Sequence, residues 1–224
     1  MQSFWQQPCL NSSRVIQKIT LVILLFCLFP SKATPATEPP IILCLGDSLT
    51  AGLGVASAES YPGLLAQRLR ERGYDHQVIN AGVSGETTAG TRRRLEWVLR
   101  NHPTLVILVI GANDGLRGLP LEQMEENIDH ILSHLREKGV RVLLGGMQIP
   151  PNYGDTYTQA FAAIYPRLAA RHAVPLIPFF LAGVAGKRDL NQDDGIHPNP
   201  RGYVTVLDTV WAVLEGVLAR APGP

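Results

Sequence analysis

Four short polar blocks hold the side chains whose types and spacing could do chemistry. They are Gly46-Asp47-Ser48-Leu49-Thr50, residues 80–87, Gly111-Ala112-Asn113-Asp114, and Asp193-Asp194-Gly195-Ile196-His197-Pro198. The chemistry they suit is acyl transfer. Ser48 offers a hydroxyl, which is a weak nucleophile until a base takes its proton. His197 is the candidate base, and Asp194, three residues earlier, can reach its second ring nitrogen through a tight loop and stabilise the imidazolium that forms. Asn113 brings a side-chain amide donor, and Gly85 a backbone N–H that no side chain obstructs, with Gly82 as the competing glycine. Together with the N–H of Ser48 these make three donors for an oxyanion, each worth on the order of 3 kcal/mol of transition-state stabilisation.

Those blocks need strands and helices to bring them together. Residues 41–45 are a short apolar run rich in branched side chains and closed by Gly46, which reads as a buried strand. Residues 104–110 are the most hydrophobic stretch of the body, as a central strand covered on both faces would be. Further strands are expected over 76–80, 140–144 and 174–180, the last broken by prolines. Apolar residues recur at helical spacing in 61–72, 87–101, 121–138 and 156–172, and a last helix is expected over 201–219. Helices between successive strands require a parallel sheet with right-handed crossovers. The expected fold class is therefore α/β, a three-layer α/β/α domain over residues 41–224 with a five-stranded parallel, flavodoxin-like sheet. In such sheets ligands collect beyond the carboxyl ends of the strands, which is where the polar blocks fall.

The four blocks, in this order, resemble those of the SGNH (GDSL) hydrolase family, and within it the TesA-like bacterial esterase, thioesterase and lysophospholipase group. Gly46-Asp47-Ser48-Leu49 is similar to the first block, Ser84-Gly85 to the second, Gly111-Ala112-Asn113-Asp114 to the third, and Asp194-Gly195-Ile196-His197 to the last. The resemblance implies Ser48 as nucleophile, His197 as base, Asp194 as its partner, and Ser48, Gly85 and Asn113 as the oxyanion hole. Glu86 stands where that group more usually has Asp. Gly115-Leu116-Arg117-Gly118 and Pro150-Pro151-Asn152-Tyr153-Gly154 also resemble the group. The resemblance implies a substrate-responsive loop over 115–120, with an acyl chain lying near Leu116, Leu119, Ile149 and Pro150. A carbohydrate O-deacetylase on the same fold and a non-catalytic binding module are the competing functions. An aromatic content of 7% does not encourage sugar subsites, and the complete polar set argues against a mere binding module.

Composition removes other classes. Twenty Lys and Arg against 19 Asp and Glu give a net charge of +1, without the basic footprint a nucleic-acid partner needs. No cofactor is expected: Gly52-Leu53-Gly54 lacks the third glycine of a dinucleotide loop, and the 46–52 stretch lacks the lysine of a P-loop. No metal is expected either, because His130 and His134 sit four apart on a helix without the His-Glu-x-x-His pattern. His76, His102 and His172 read as boundary residues without polar companions, and Arg92, Arg93 and Arg94 as a solvated helix face. Cys9 and Cys27 precede the body, and Cys44 within it has no bridging partner. Partners are limited to a small-molecule acyl ester or thioester, and a monomer is expected.

The first residues read as a signal. Residues 1–18 carry Arg14 and Lys18 and no acid; residues 19–29 are apolar apart from Thr20, and Pro30 ends the run. Eleven helical residues reach roughly 16 Å, about half a bilayer core. With small residues around Ala33, this predicts a secretory signal peptide over 1–33, an uncleaved anchor or a lipidated Cys27 being the alternatives. Residues 34–40, with three prolines, read as a linker. The expected location is periplasmic or secreted, with no stable membrane span after cleavage and 17 bases left against 19 acids.

Overall fold

The computed structural model of the protein describes residues 38–220. The expected signal peptide, and the linker before residue 38, lie outside the described residues. Five strands, β1 (Ile41–Gly46), β2 (Gln77–Gly82), β3 (Leu105–Val109), β4 (Arg141–Gly145) and β5 (Leu176–Ile177), form one parallel sheet in the order β2-β1-β3-β4-β5. Among the described residues the α-helices are, in chain order, α1 (Ser48–Ala51), α2 (Tyr61–Glu71), α3 (Thr88–Leu99), α4 (Ala112–Leu116), α5 (Leu121–Glu137), α6 (Asp155–His172) and α7 (Pro200–Leu218). This is the expected three-layer α/β fold.

The strand order explains the layers. The chain steps from β1 to one side for β2, then returns across β1 to β3, β4 and β5. Right-handed crossovers therefore put α2 on one face and α3, α5 and α6 on the other. The helices pack accordingly, α2 against α7, α3 against α5 and α5 against α6. Every residue of β3 is buried, as are Ile42 to Gly46 of β1, so the central strands are apolar on both faces. The stripe on α5 (Met124, Ile128, Ile131, Leu132, Leu135) closes one face, and Tyr203, Val206, Val210 and Leu214 of α7 help to close the other.

Several sequence expectations differ from the structure. The fifth strand is two residues long, because Pro175 and Pro178 flank it and proline has no N–H for a ladder. Two short helices, α1 and α4, occupy the polar blocks after β1 and β3, where no helix is expected from the sequence. Arg94 is not on a solvated face but turns inward onto Glu86 and the carbonyls of Ala81 and Gly46. His172 is likewise buried and partnered, its Nε2 lying 2.9 Å from Asp129 Oδ1. Among the described residues, no helix is long and apolar enough to cross a membrane.

Gly46 pairs with Gly82 on one side and Val109 on the other, so three strands end level with one another. At that rim α1 lies directly on β2. A Cβ at Gly82 would overlap the backbone of Thr50 and Ala51, which cannot rotate out of the way as a side chain could. Gly85, by contrast, has only the tip of Arg117 nearby. Gly82→Ala is expected to cost about 2 kcal/mol of stability and to lower turnover by displacing α1. Gly85→Ala is expected to cost about 1 kcal/mol, from its left-handed φ of 77° alone. Denaturant unfolding of both variants checks the difference.

Candidate active site

Ser48 sits at the first position of α1, immediately after β1. Asp47 caps that helix, its Oδ1 accepting from Leu49 N at 3.0 Å. The first amides of a helix have no carbonyl partner within it, so the N–H of Ser48 is available to an incoming oxygen. Tyr203 of α7 donates to Leu49 O at 3.1 Å and fixes the turn from behind.

The late loop brings His197 to the same rim. Asp194 Oδ1 accepts from the amides of Ile196 and His197, each at 3.0 Å, which folds the loop back on its own carboxylate. The other oxygen, Oδ2, lies 2.6 Å from His197 Nδ1, and His197 Nε2 lies 2.9 Å from Ser48 Oγ. A carboxylate only accepts, so Nδ1 carries the proton and Nε2 presents its lone pair to the serine hydroxyl. Burial raises the Asp194 carboxyl, but its hydrogen bonds from Ile196 and His197 and the His197 charge outweigh that and bring it down to about 2. It therefore stays ionised at any pH at which the imidazole could act as a base.

Gly111, at φ 106°, caps α4 in a backbone conformation that glycine adopts without strain, and a side chain there would strike Tyr165 and Met124. This sharp entry places Asn113 beside Asp47, with Nδ2 donating to Asp47 Oδ2 at 3.3 Å. One N–H of the amide is thereby held and the other is left for a ligand. Asp114, next in sequence, is buried and accepts from Thr88 N at 2.9 Å and Thr88 Oγ1 at 2.6 Å, tying α4 to the start of α3.

Ser48, Gly85, Asn113 and His197 all line one cavity of about 700 Å³, with Leu116, Ile149 and Pro150 among its walls. Asp194 stands behind His197 and is not on the wall. Leu119 requires a correction, because it does not line the cavity. Its amide donates back to Asp114 O at 3.0 Å, and the residue, in this closing turn, is 37% exposed. Sequence reasoning missed Met147, Phe179 and Leu181, which also form the wall. The strand-end rule could have found Met147, just beyond β4; Phe179 and Leu181 lie after prolines that hid the local pattern. His134 approaches Glu96 at 2.7 Å. No group of three or more His, Cys, Asp and Glu side chains suited to a metal ion occurs among the described residues.

Comparison with known proteins bears on this geometry. Residues 44–204 match the GDSL-like lipase/acylhydrolase family. The chain belongs to that family, and it is a serine esterase. It is 40% identical over 193 residues to Esterase TesA of Pseudomonas aeruginosa, covering 86% of this chain and 96% of that protein. It is 41% identical over 181 residues to thioesterase 1/protease 1/lysophospholipase L1 of Escherichia coli K12, covering 80% and 86% of the two. The solved structure of the psychrotrophic esterase EstA from Pseudoalteromonas sp., inhibited by monoethylphosphonate, matches with a TM-score of 0.76 at 34% identity over 80% of this chain and 99% of that one.

Asp47 is the anomalous charge of the site. Burial pushes its carboxyl up to about 6, against the lowering effects of the Leu49 amide, the His197 charge and Asn113; Glu86 adds to the rise. Below about pH 4 the group is neutral folded or unfolded, and between 4 and 6 only the folded protein holds the proton. Stability from this group is therefore lost as pH rises through that window, by about 3 kcal/mol. Asp47→Asn removes the titration. Denaturant unfolding at pH 4 and pH 8 is expected to show the variant gaining about 2 kcal/mol on the wild type between the two, most of the full effect, since part of the unfolded carboxyl is already ionised at pH 4.

Proposed function

We propose that the protein cleaves carboxylic esters, and by the same chemistry thioesters and lysophospholipids, through an acyl-Ser48 intermediate. The observation that carries the reading is the continuous path of 2.6 Å and 2.9 Å from Asp194 through His197 to Ser48 at the mouth of the apolar cavity. Ser48 Oγ attacks the acyl carbon as His197 Nε2 takes its proton, and Asp194 stabilises the imidazolium. The carbonyl oxygen becomes an oxyanion facing the amides of Ser48 and Gly85 and the free N–H of Asn113. Collapse expels the alkoxide or thiolate, which leaves with the proton from His197. Water then attacks the acyl-serine, His197 takes and returns one proton, and the free acid departs. The EstA relative is inhibited by monoethylphosphonate, a tetrahedral phosphorus compound shaped like the intermediate of ester hydrolysis, which supports ester cleavage as the reaction.

The acyl chain is assigned to the wall of Leu116, Ile149 and Pro150, continued by Met147 and Leu181. Phe179 is the one aromatic residue on that wall among the described residues, which favours an acyl chain over a sugar ring. The apolar leader and its small-residue exit support export to the periplasm or beyond, with a monomeric enzyme acting on small amphiphiles.

Hydrolysis of p-nitrophenyl esters of increasing chain length tests this. Ser48→Ala and His197→Ala are each expected to lose about 10⁴-fold or more in kcat, with little further loss when combined. Asn113→Ala is expected to lose about 10²–10³-fold in kcat with KM little changed. A folded Ser48→Ala protein that keeps a tenth of wild-type activity rejects the mechanism. Each buried methylene contributes about 0.8 kcal/mol, so kcat/KM should climb roughly fourfold per carbon until the cavity is filled. Leu116→Ser is expected to flatten that climb and Leu119→Ser to leave it unchanged.

A further inference from the structure

A charged pair stands just outside the cavity, and the reaction as described does not use it. Glu86, the residue after Gly85, has a side chain only 7% exposed, and Arg94, projecting from α3, has one 17% exposed. Arg94 grips the carboxylate side-on, Nε to Oε1 and Nη2 to Oε2, both at 2.6 Å. Thr91 Oγ1 donates a third bond to Oε2 at 2.9 Å. The same Nη2 also reaches the carbonyl of Ala81 at 2.7 Å and that of Gly46 at 3.4 Å. These carbonyls belong to the last two residues of β2 and β1, and Gly46 is followed directly by Asp47 and Ser48.

One guanidinium thus links the end of β1, two residues before the Ser48 amide, the end of β2, and, through the Glu86 side chain, the loop that carries the Gly85 amide. We propose that Glu86 and Arg94 are a positioning pair that sets the separation of the Ser48 and Gly85 oxyanion donors. Neither residue lines the cavity, so neither touches substrate, and the proposal rests on the acyl-serine reading above. An oxyanion hole works by holding donors in place before charge develops, and loss of their spacing is felt in the transition state more than in substrate binding. A planar fork suits this task where a lysine would supply only a point charge. Space for the pair is built into α3, where a Cβ at Gly90 would stand 2.9 Å from Glu86 Cγ and push the carboxylate stem aside.

The test is steady-state kinetics on a p-nitrophenyl ester for Glu86→Gln, Arg94→Gln, Arg94→Lys and Gly90→Ala, with thermal unfolding recorded for each. Gly90→Ala leaves both charges in place and favours the helix, so it provides a folded variant in which only the position of Glu86 changes. The expected result is kcat lowered about tenfold in Glu86→Gln and Gly90→Ala and about a hundredfold in Arg94→Gln. KM should stay within twofold, the pH profile should keep its shape, and Arg94→Lys should recover part of the loss. A pair that merely stabilises the fold would lower the unfolding temperature and leave kcat untouched well below it. Values of kcat within twofold of wild type in Glu86→Gln and Gly90→Ala overturn the proposal, and they decide it even if Arg94→Gln does not fold. Wild-type protein without ester turnover would instead overturn the acyl-serine reading, and the pair's role with it.

Discussion

The register of the parallel sheet is the constraint on which everything at the rim depends. With Gly46 paired to both Gly82 and Val109, the chain leaves β1, β2 and β3 at one height. The three oxyanion candidates follow those three exits, at Ser48, Gly85 and Asn113. A slip of one residue in any pair would turn every side chain of that strand to the opposite face. β1 and β3 are apolar on both faces, so it is the size and shape fit of their packed side chains that opposes such a slip, and core packing far from the rim holds the candidate donors level.

Polar contacts then refine what the sheet sets coarsely. Asp47 caps α1 with one oxygen and receives the Asn113 amide with the other, so one carboxylate links two of the three candidate donors. The cost is a carboxyl held where burial resists its charge. Asp194 has the opposite environment: partly exposed, supplied with two backbone amides and an imidazole, and firmly ionised. Two aspartates near one histidine are thereby given different tasks by their surroundings.

Much of this was legible in the sequence, for identifiable reasons. The branched run 41–45 and the stripes at Ile128, Ile131, Leu132 and Leu135 carry periodicities that burial enforces, and the fold class follows from their alternation. The blocks around Ser48, Gly85, Asn113, Asp194 and His197 were readable because each falls at a strand end or in the late loop, and the structure brings Ser48, Asn113, Asp194 and His197 within hydrogen-bonding reach of one another or of Asp47. The rest depends on tertiary contacts with no local signature. Arg94 looks like its neighbours Arg92 and Arg93 until Glu86 arrives from a separate loop. His172 finds Asp129 across two helices, and Leu119 sits in a turn closed by a hydrogen bond from its N–H to the Asp114 carbonyl. One-turn helices such as α1 and α4 are too short for any periodicity to reveal them.

The central claim is that Ser48, activated by His197, carries the acyl group. Intact-mass measurement and peptide mapping after reaction with a fluorophosphonate test it most directly. The account predicts one adduct per chain on the peptide containing Ser48, formed in step with loss of esterase activity. It also predicts that His197→Ala forms this adduct far more slowly. An adduct on another residue accompanied by loss of activity, or full activity retained with Ser48 modified, would contradict it.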